Sequence, residues 1–248
     1  MSHAGHRILF DPFVPMNTNI QYTSVQELAQ MGDIFITHGH FDHIIRVPEV
    51  LALGKSKVHC SAETAQQLIR AGASAEQVVS INPGDTISHG PFTIRVHKGQ
   101  HIKNDLQLVL KTIFNRRIVS HYKELINIVK AHKKCPQGQV LVYEISLDNI
   151  KILHLGSLNL CSDEEYPQDV NVLCLPLQGR SDLLTYALVF VEKIKPQSIF
   201  LHHFDDAFPP ISSTIDCNPF ADLVRRSYPS IAVTIPEYGI SYPVQGMQ

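Results

Sequence analysis

An α/β (α+β) fold of mixed β-sheets covered by helices is what this sequence predicts, on three observations. Strand-like segments dominate the first part of the chain and alternate with helix-like segments later. With 248 residues, 44% hydrophobic content and a mean hydropathy near zero, the chain suits one large domain with a substantial core. One β-branched run, "DIFITHGHFDHI" at 33–44, ends in His38, His40, Asp42 and His43, four potential ligands within six positions.

The elements follow in order. "RILF" (7–10) reads as a strand stopped by Asp11-Pro12, because proline cannot continue a central strand. Residues 24–32 read as a helix ended by Gly32, and "DIFIT" as the strand after it. "SKVHCS" and "VVSIN" are strands on either side of the helical "AETAQQLIRAG", with Gly72 as its stop. "FTIRVH" (92–97), "QVLVYEIS", "IKILHL" and "DVNVLCLPL" alternate or run apolar as strands. "SDLLTYALVFVEKIK" is a helix with a Ser/Asp cap, and Pro196 forbids its extension. "SIFLHHF", a short helix at 220–227, "IAVTIP" and "GISYPV" close the chain.

A basic helical insertion at about 101–136 interrupts this order. Leu106, Leu110, Ile113, Phe114, Ile118, Tyr122, Leu125, Ile126 and Val129 keep helical spacing there. Eight of the chain's 21 Lys and Arg lie in this segment against two of its 23 acidic residues, so the remainder carries 13 basic and 21 acidic. Arg116 and Arg117 sit at its centre. It reads equally as a lid that meets an anionic substrate or as a solvated face backing a homo-oligomer interface.

Composition excludes several classes. The opening "MSHAGHRILF" has no basic region followed by an apolar one, which argues against a secretory leader, and nowhere is there an apolar run long enough for a bilayer. The five cysteines are scattered, odd in number and form no CxxC, which favours a reducing, cytoplasmic setting over disulfides or a thiolate zinc site. A net charge of −2 names no partner.

His38 and His40 leave a strand two positions apart, so both can project to one side, and Asp42 and His43 can turn toward the same point. Neutral imidazole and carboxylate suit zinc, with manganese or iron as alternatives. Four ligands at HxHxDH spacing after an apolar strand therefore predict a metal site.

HxHxDH after a strand resembles the signature of the metallo-β-lactamase-fold superfamily, and "ILFDPF", "RVHKGQ", "ILHLGSLN" and "IFLHHFDD" extend the resemblance over most of the chain. "ILFDPF" is similar to the branch of L-ascorbate-6-phosphate lactonases. The resemblance implies a single domain over 1–248, a four-layer αβ/βα sandwich holding one or two zinc ions. It assigns His38, His40 and His97 to one metal, and Asp42, His43 and His202 to a second. His203 and Asp42 would then act on the reaction, while Asp11 either orients a ligand imidazole or only forms the Asp-Pro turn. Ser157 stands where the family usually has a bridging Asp, so the second ion should bind less tightly, with Asp205 or Asp206 as stand-ins. Arg180 and Ser181 fall where this fold builds its substrate pocket. Members usually begin with a further strand before "ILFDP", so an edge strand is expected to be missing or supplied by another chain.

The implied function is metal-dependent hydrolysis of a lactone or phosphodiester in an anionic small molecule. A nuclease of the ribonuclease Z type is the alternative within the fold. The acidic remainder and the want of an aromatic strand face disfavour nucleic acid as a partner. A non-enzymatic metal-binding protein is the third reading.

Overall fold

In the computed structural model, which describes residues 1–14, 23–103, 121–206 and 212–244, the short strand Asp33–Phe35 (β3) lies in the middle of a five-stranded sheet. Its neighbours are Ser2–His3 (β1) and His6–Phe10 (β2) on one side, and Val58–Cys60 (β4) and Val78–Ser80 (β5) on the other. All pairs are parallel except β1 with β2. Ala4 and Gly5, both at positive φ (47° and 81°), make the tight turn between β1 and β2, so the chain carries its own antiparallel edge.

The second sheet has seven strands. Ala232–Thr234 (β12), Ser198–His202 (β11), Val172–Pro176 (β10) and Ile150–Leu155 (β9) run parallel. Leu141–Leu147 (β8), Phe92–Lys98 (β7) and Thr86–His89 (β6) continue it antiparallel. Of these, β6 had no expected counterpart in the sequence, and neither had β1. "GISYPV" (239–244) closes the chain without forming a strand among the described residues.

Alternation along the strands sorts side chains into three apolar clusters, and these define four layers. Between the sheets lie Phe35 from one and Ile94, Val96, Tyr143, Ile145 and Ile152 from the other. Outside the first sheet, Ile34 and Ile36 pack with helices Val25–Leu28 (α1), Val47–Leu53 (α3) and Ala62–Arg70 (α4). The one-turn helix Phe41–Ile44 (α2) precedes α3. Outside the second sheet, Leu153, Leu173, Leu175 and Leu201 pack under Leu183–Ile194 (α6) and Asn218–Ser227 (α7). The expected sandwich of two mixed sheets with outer helices is thus the observed one. Of the insertion, the helix Tyr122–Lys134 (α5) is described, whereas Arg116 and Arg117 fall outside the described residues.

Local chemistry explains the helix ends. Ser24 caps α1 through the Glu27 amide while Glu27 returns a bond to the Ser24 amide. Lys195, in left-handed conformation, closes α6 just before Pro196. Asp182 stands at the N-cap of α6 but makes no side-chain capping bond, because its carboxylate is paired with Arg180 instead.

The sheets meet where β3 runs out. The buried Tyr143 hydroxyl donates to the Ile36 carbonyl at 2.6 Å, and the Leu141 amide donates to the Thr37 carbonyl at 2.8 Å. Tyr143→Phe removes this side-chain donor from the Ile36 carbonyl and is expected to lower stability by about 1–3 kcal/mol. Chemical denaturation of the two proteins measures it; an unchanged midpoint would show that water replaces the hydroxyl.

Candidate active site

The end of β3 delivers His38, His40, Asp42 and His43 to the rim between the two sheets, and Asp11 at the end of β2 lies beside them. Asp11 adopts positive φ (42°), which turns its carboxylate back over the neighbouring strand. There it accepts the Thr37 amide at 2.8 Å on Oδ1 and the Thr37 hydroxyl at 2.6 Å on Oδ2. Oδ2 also lies 3.0 Å from His43 Nδ1. Since the Thr37 hydroxyl gives its proton to Asp11, its contact with His38 Nδ1 at 3.0 Å makes His38 Nδ1–H the donor. One carboxylate thereby faces both imidazoles: through Thr37 it fixes His38 with Nδ1 protonated and Nε2 free, and directly it favours the protonated form of His43.

Two groups of three donors result, the atoms within each lying within 4.8 Å of one another: His38, His40 and His101, and Asp42, His43 and His203. They adjoin, with the His38 and His43 rings 4.0 Å apart. In the first, His38 Nε2 and His40 Nδ1 approach to 3.2 Å, and the His101 ring lies 5.0 and 4.6 Å from theirs. In the second, Asp42 Oδ2 is 3.4 Å from His203 Nε2 and 3.7 Å from His43 Nε2.

Charge separates the two groups. Burial, then neighbouring imidazoles, holds His38 well below the usual histidine range and brings His40 down to about 4; burial lowers His101 as well. Three neutral imidazoles with converging lone pairs are a donor set that a cation fits. Burial also disfavours charge on His43, yet the Asp11 and Asp42 carboxylates outweigh it and lift His43 to about 9. Burial pushes the Asp42 carboxyl up, but His43, His203 and His40 together bring it well below the usual carboxylate range. The second group thus joins an anionic donor to an imidazole that prefers its proton.

Two expected ligands lie elsewhere. His97 is not with His38 and His40; His101 takes that place. On β7, Phe92, Ile94 and Val96 face the core between the sheets, so His97 falls on the opposite face with Arg95. There it sits 2.9 Å from Glu144 and 3.1 Å from Glu164. His202 is likewise displaced by His203. As the last residue of β11, His202 keeps the strand's alternation and stacks on His154 at 5.0 Å, whereas His203 steps to positive φ (57°) and turns to Asp42.

Ser157 accepts the Ile102 amide at 2.9 Å, and Asn159 donates to the His101 carbonyl at 3.2 Å, so this loop fastens the His101 segment. Gly156 beside it admits no side chain, because a Cβ would stand 1.9 Å from Thr37 Oγ1. Arg180 is held by Asp182 at 2.5 and 2.8 Å, donates to the Lys103 carbonyl and lies over the Tyr186 ring. Ser181 is exposed next to it. Asp206 accepts from Ser212, and Asp205 lines a cavity of about 400 Å³ beside Asp42, His43 and His203.

Sequence reasoning passed over Thr37, His101, His132 and His154. His132 on α5 brings its ring to 4.8 Å from that of His40, so the insertion borders the first group. Strand parity at 97 and 154 was the signal available for two of the four.

The model of the β-lactamase superfamily domain matches residues 6–204. A UPF0173 metal-dependent hydrolase of Polaromonas sp. is 26% identical over 212 residues, covering 81% of this chain and 71% of that protein. One from Archaeoglobus fulgidus is 23% identical over 240 residues, covering 95% and 91%. Among solved structures, a metallo hydrolase of Ignicoccus hospitalis aligns with a TM-score of 0.53 at 18% identity, over 85% of this chain and 78% of its own. An isothiocyanate hydrolase from Delia radicum gut bacteria aligns at 0.56 and 13%, over 98% and 95%. These two show a shared fold.

Two outcomes are expected. In folded variants, His101→Ala and His203→Ala each lower bound metal measured by elemental analysis, while His97→Ala leaves it unchanged; metal loss in the last would return His97 to the site. The groups should also differ in pH response. A cation must displace the His43 proton at any pH below about 9, so affinity there rises up to about tenfold per pH unit toward that value. The first group is unprotonated at neutral pH, and its affinity stays flat. Calorimetric metal titration of the stripped protein at pH 6.5, 7.5 and 8.5 resolves the two, and parallel pH responses would contradict the assignment.

Proposed function

The chain belongs to the metallo-β-lactamase superfamily, and on that premise we propose that it is a metal-dependent hydrolase of an ester-type bond, a lactone in preference to a phosphodiester. The observation that carries this reading is the pair of adjoining three-donor groups, His38–His40–His101 and Asp42–His43–His203. Relatives bearing the name metal-dependent hydrolase along most of the chain support it.

His38, His40 and His101 would hold one cation, and Asp42, His43 and His203 a second. Imidazole with a single carboxylate suits zinc, and manganese or iron would be accepted by the same donors. When bound, such cations supply Lewis acidity and lower the pKa of water from about 16 to about 7. The protein does the rest. Asp11 faces His43 Nδ1 and, through Thr37, keeps the proton on His38 Nδ1, which aims the His38 Nε2 lone pair at its ligand position and leaves the His43 Nε2 proton as the one a cation would displace. Asp42, held far below the usual carboxylate range, orients a nucleophile as a hydrogen-bond acceptor rather than storing its proton. In the hydrolysis, water adds to the acyl carbon, the acyl–oxygen bond breaks, one water proton passes to the ring oxygen and the other to solvent, and a single hydroxy-carboxylate leaves.

The lactone preference rests on the cavity beside the second group. Asp11, Asp42 and Asp205 line it, and no Lys or Arg does among the described residues. Bound cations would attract either substrate at its reacting atoms, but beyond them this wall offers Asp205 and apolar side chains and no Lys or Arg among the described residues to hold a permanent charge, which suits a lactone better. The anionic substrate expected from the sequence finds its candidate Arg180 paired with Asp182, while Arg116 and Arg117 lie outside the described residues. A lid role for the insertion is supported by His132 of α5 at the edge of the first group.

Stripping the protein with a chelator is expected to abolish hydrolysis of γ-butyrolactone, and added zinc to restore it. Asp11→Asn, nearly the same in shape, should lower both kcat/KM and metal content by roughly tenfold or more, because the His38 tautomer is then no longer fixed. Hydrolysis that survives complete metal removal would sink this reading.

A further inference from the structure

We infer that the stacked pair His154–His202 and the apolar gap behind it form the substrate-recognition pocket, built for an uncharged ester or lactone that carries an apolar group. This inference rests on the hydrolase reading above and names the substrate class for that same site.

His154 on β9 and His202 on β11 both lie on the strand faces that look between the sheets, the faces of Ile152, Cys174 and Phe200. Their rings stack at 5.0 Å with 18° between planes, and Phe10 packs on His154 at 4.7 Å. Both rings line the cavity that holds Asp42, His43 and His203. His154 is 8% exposed, and Nε2 of each ring is buried without a hydrogen-bond partner among the described residues. Buried polar atoms of this kind are rare in folded proteins, and two on adjacent rings bordering one cavity call for a ligand that bonds to them. His202 Nδ1 donates to the Leu155 carbonyl, which leaves its Nε2 to accept from a substrate hydroxyl; a carbonyl or ring oxygen of a neutral substrate accepts from His154 when that ring carries its proton on Nε2.

Beside Asp11 and Asp205, the apolar part of the cavity wall comes from Leu9, Phe10, Phe13, Cys174 and Phe200. A second cavity of about 590 Å³ shares Met1, Leu9, Cys174 and Phe200 with it and continues between the sheets along Ile145, Ile152 and Val172. The Met1 amino group beside these cavities is bonded to the Ile8 carbonyl at 2.7 Å, and Arg7 borders only the second cavity. A substrate whose reacting carbonyl lies at Asp42 can therefore run an aliphatic or aromatic substituent past His154 toward the largely apolar second cavity, where each buried methylene adds affinity.

The test compares γ-nonalactone, γ-butyrolactone and bis(p-nitrophenyl) phosphate on the zinc-loaded protein, with metal content checked in every variant. The expected result is a KM for γ-nonalactone at least about tenfold below that for γ-butyrolactone, and little turnover of the phosphodiester. His154→Phe keeps the ring and removes its nitrogens; it should lower kcat/KM for both lactones by about tenfold with metal content intact. Cys174→Phe fills the apolar end and should erase the preference for the longer lactone. Binding of γ-nonalactone to the wild-type protein, followed by ligand-observed NMR, is scored separately from turnover. Binding without hydrolysis keeps the pocket and rejects the hydrolase reading. A preference for the phosphodiester, or no γ-nonalactone binding, overturns the pocket whatever the catalytic result.

Discussion

The Asp11 carboxylate is the constraint on which the site depends. It takes three contacts from two residues of the neighbouring strand segment, the Thr37 amide and hydroxyl and the His43 ring. A buried anion with no such partners would be strongly unfavourable, and here each partner also serves the chemistry. The Thr37 hydroxyl transmits the proton order to His38, so one side chain sets the His38 tautomer in one donor group and favours the protonated form of His43 in the other. The left-handed backbone at Asp11 is what brings the carboxylate into range, which places some of the cost of the site in the backbone of β2 rather than in the ligands.

The two sheets contribute unequally but jointly. His38, His40, Asp42 and His43 come from the end of β3, and His101 and His203 from segments following β7 and β11. What keeps these ends together is close backbone approach: Tyr143 and Leu141 bond to Ile36 and Thr37, and Gly156 lets Thr37 nearly touch the loop after β9. The inter-sheet core ends there, and the histidines begin where the apolar side chains stop.

Much of this was legible in the sequence, and what was not has physical reasons. The HxHxDH cluster is contiguous, so its convergence needs only a strand end and a turn. The periodicities of β7 through β11 and of α6 were plain for the same reason: local alternation and local capping decide them. His97 was misplaced although the alternation of Phe92, Ile94 and Val96 already put it on the far face, with the tether of Ser157 and Asn159 to 101–102 unseen. The choice of His203 over His202 turned on a single left-handed φ that residue type does not announce. Asp11 was readable as a turn former or as an orienting group. The long-range contact with Thr37, 26 residues away, is what favours the orienting role. Arg180 suited an anion by type, and its pairing with Asp182 two residues on was the simpler local outcome.

Donors drawn from both sheets carry a thermodynamic consequence. A cation held by residues from each sheet acts as a crosslink of the native state and has no counterpart in the unfolded chain. By mass action, each tenfold rise in free cation above its dissociation constant then adds about 1.4 kcal/mol to the unfolding free energy per site. If the two donor groups hold cations as proposed, the stability of the folded chain would be tied to the metal supply around it, and the occupancy of the His43-containing site, where a proton competes, would follow acidity as well as metal.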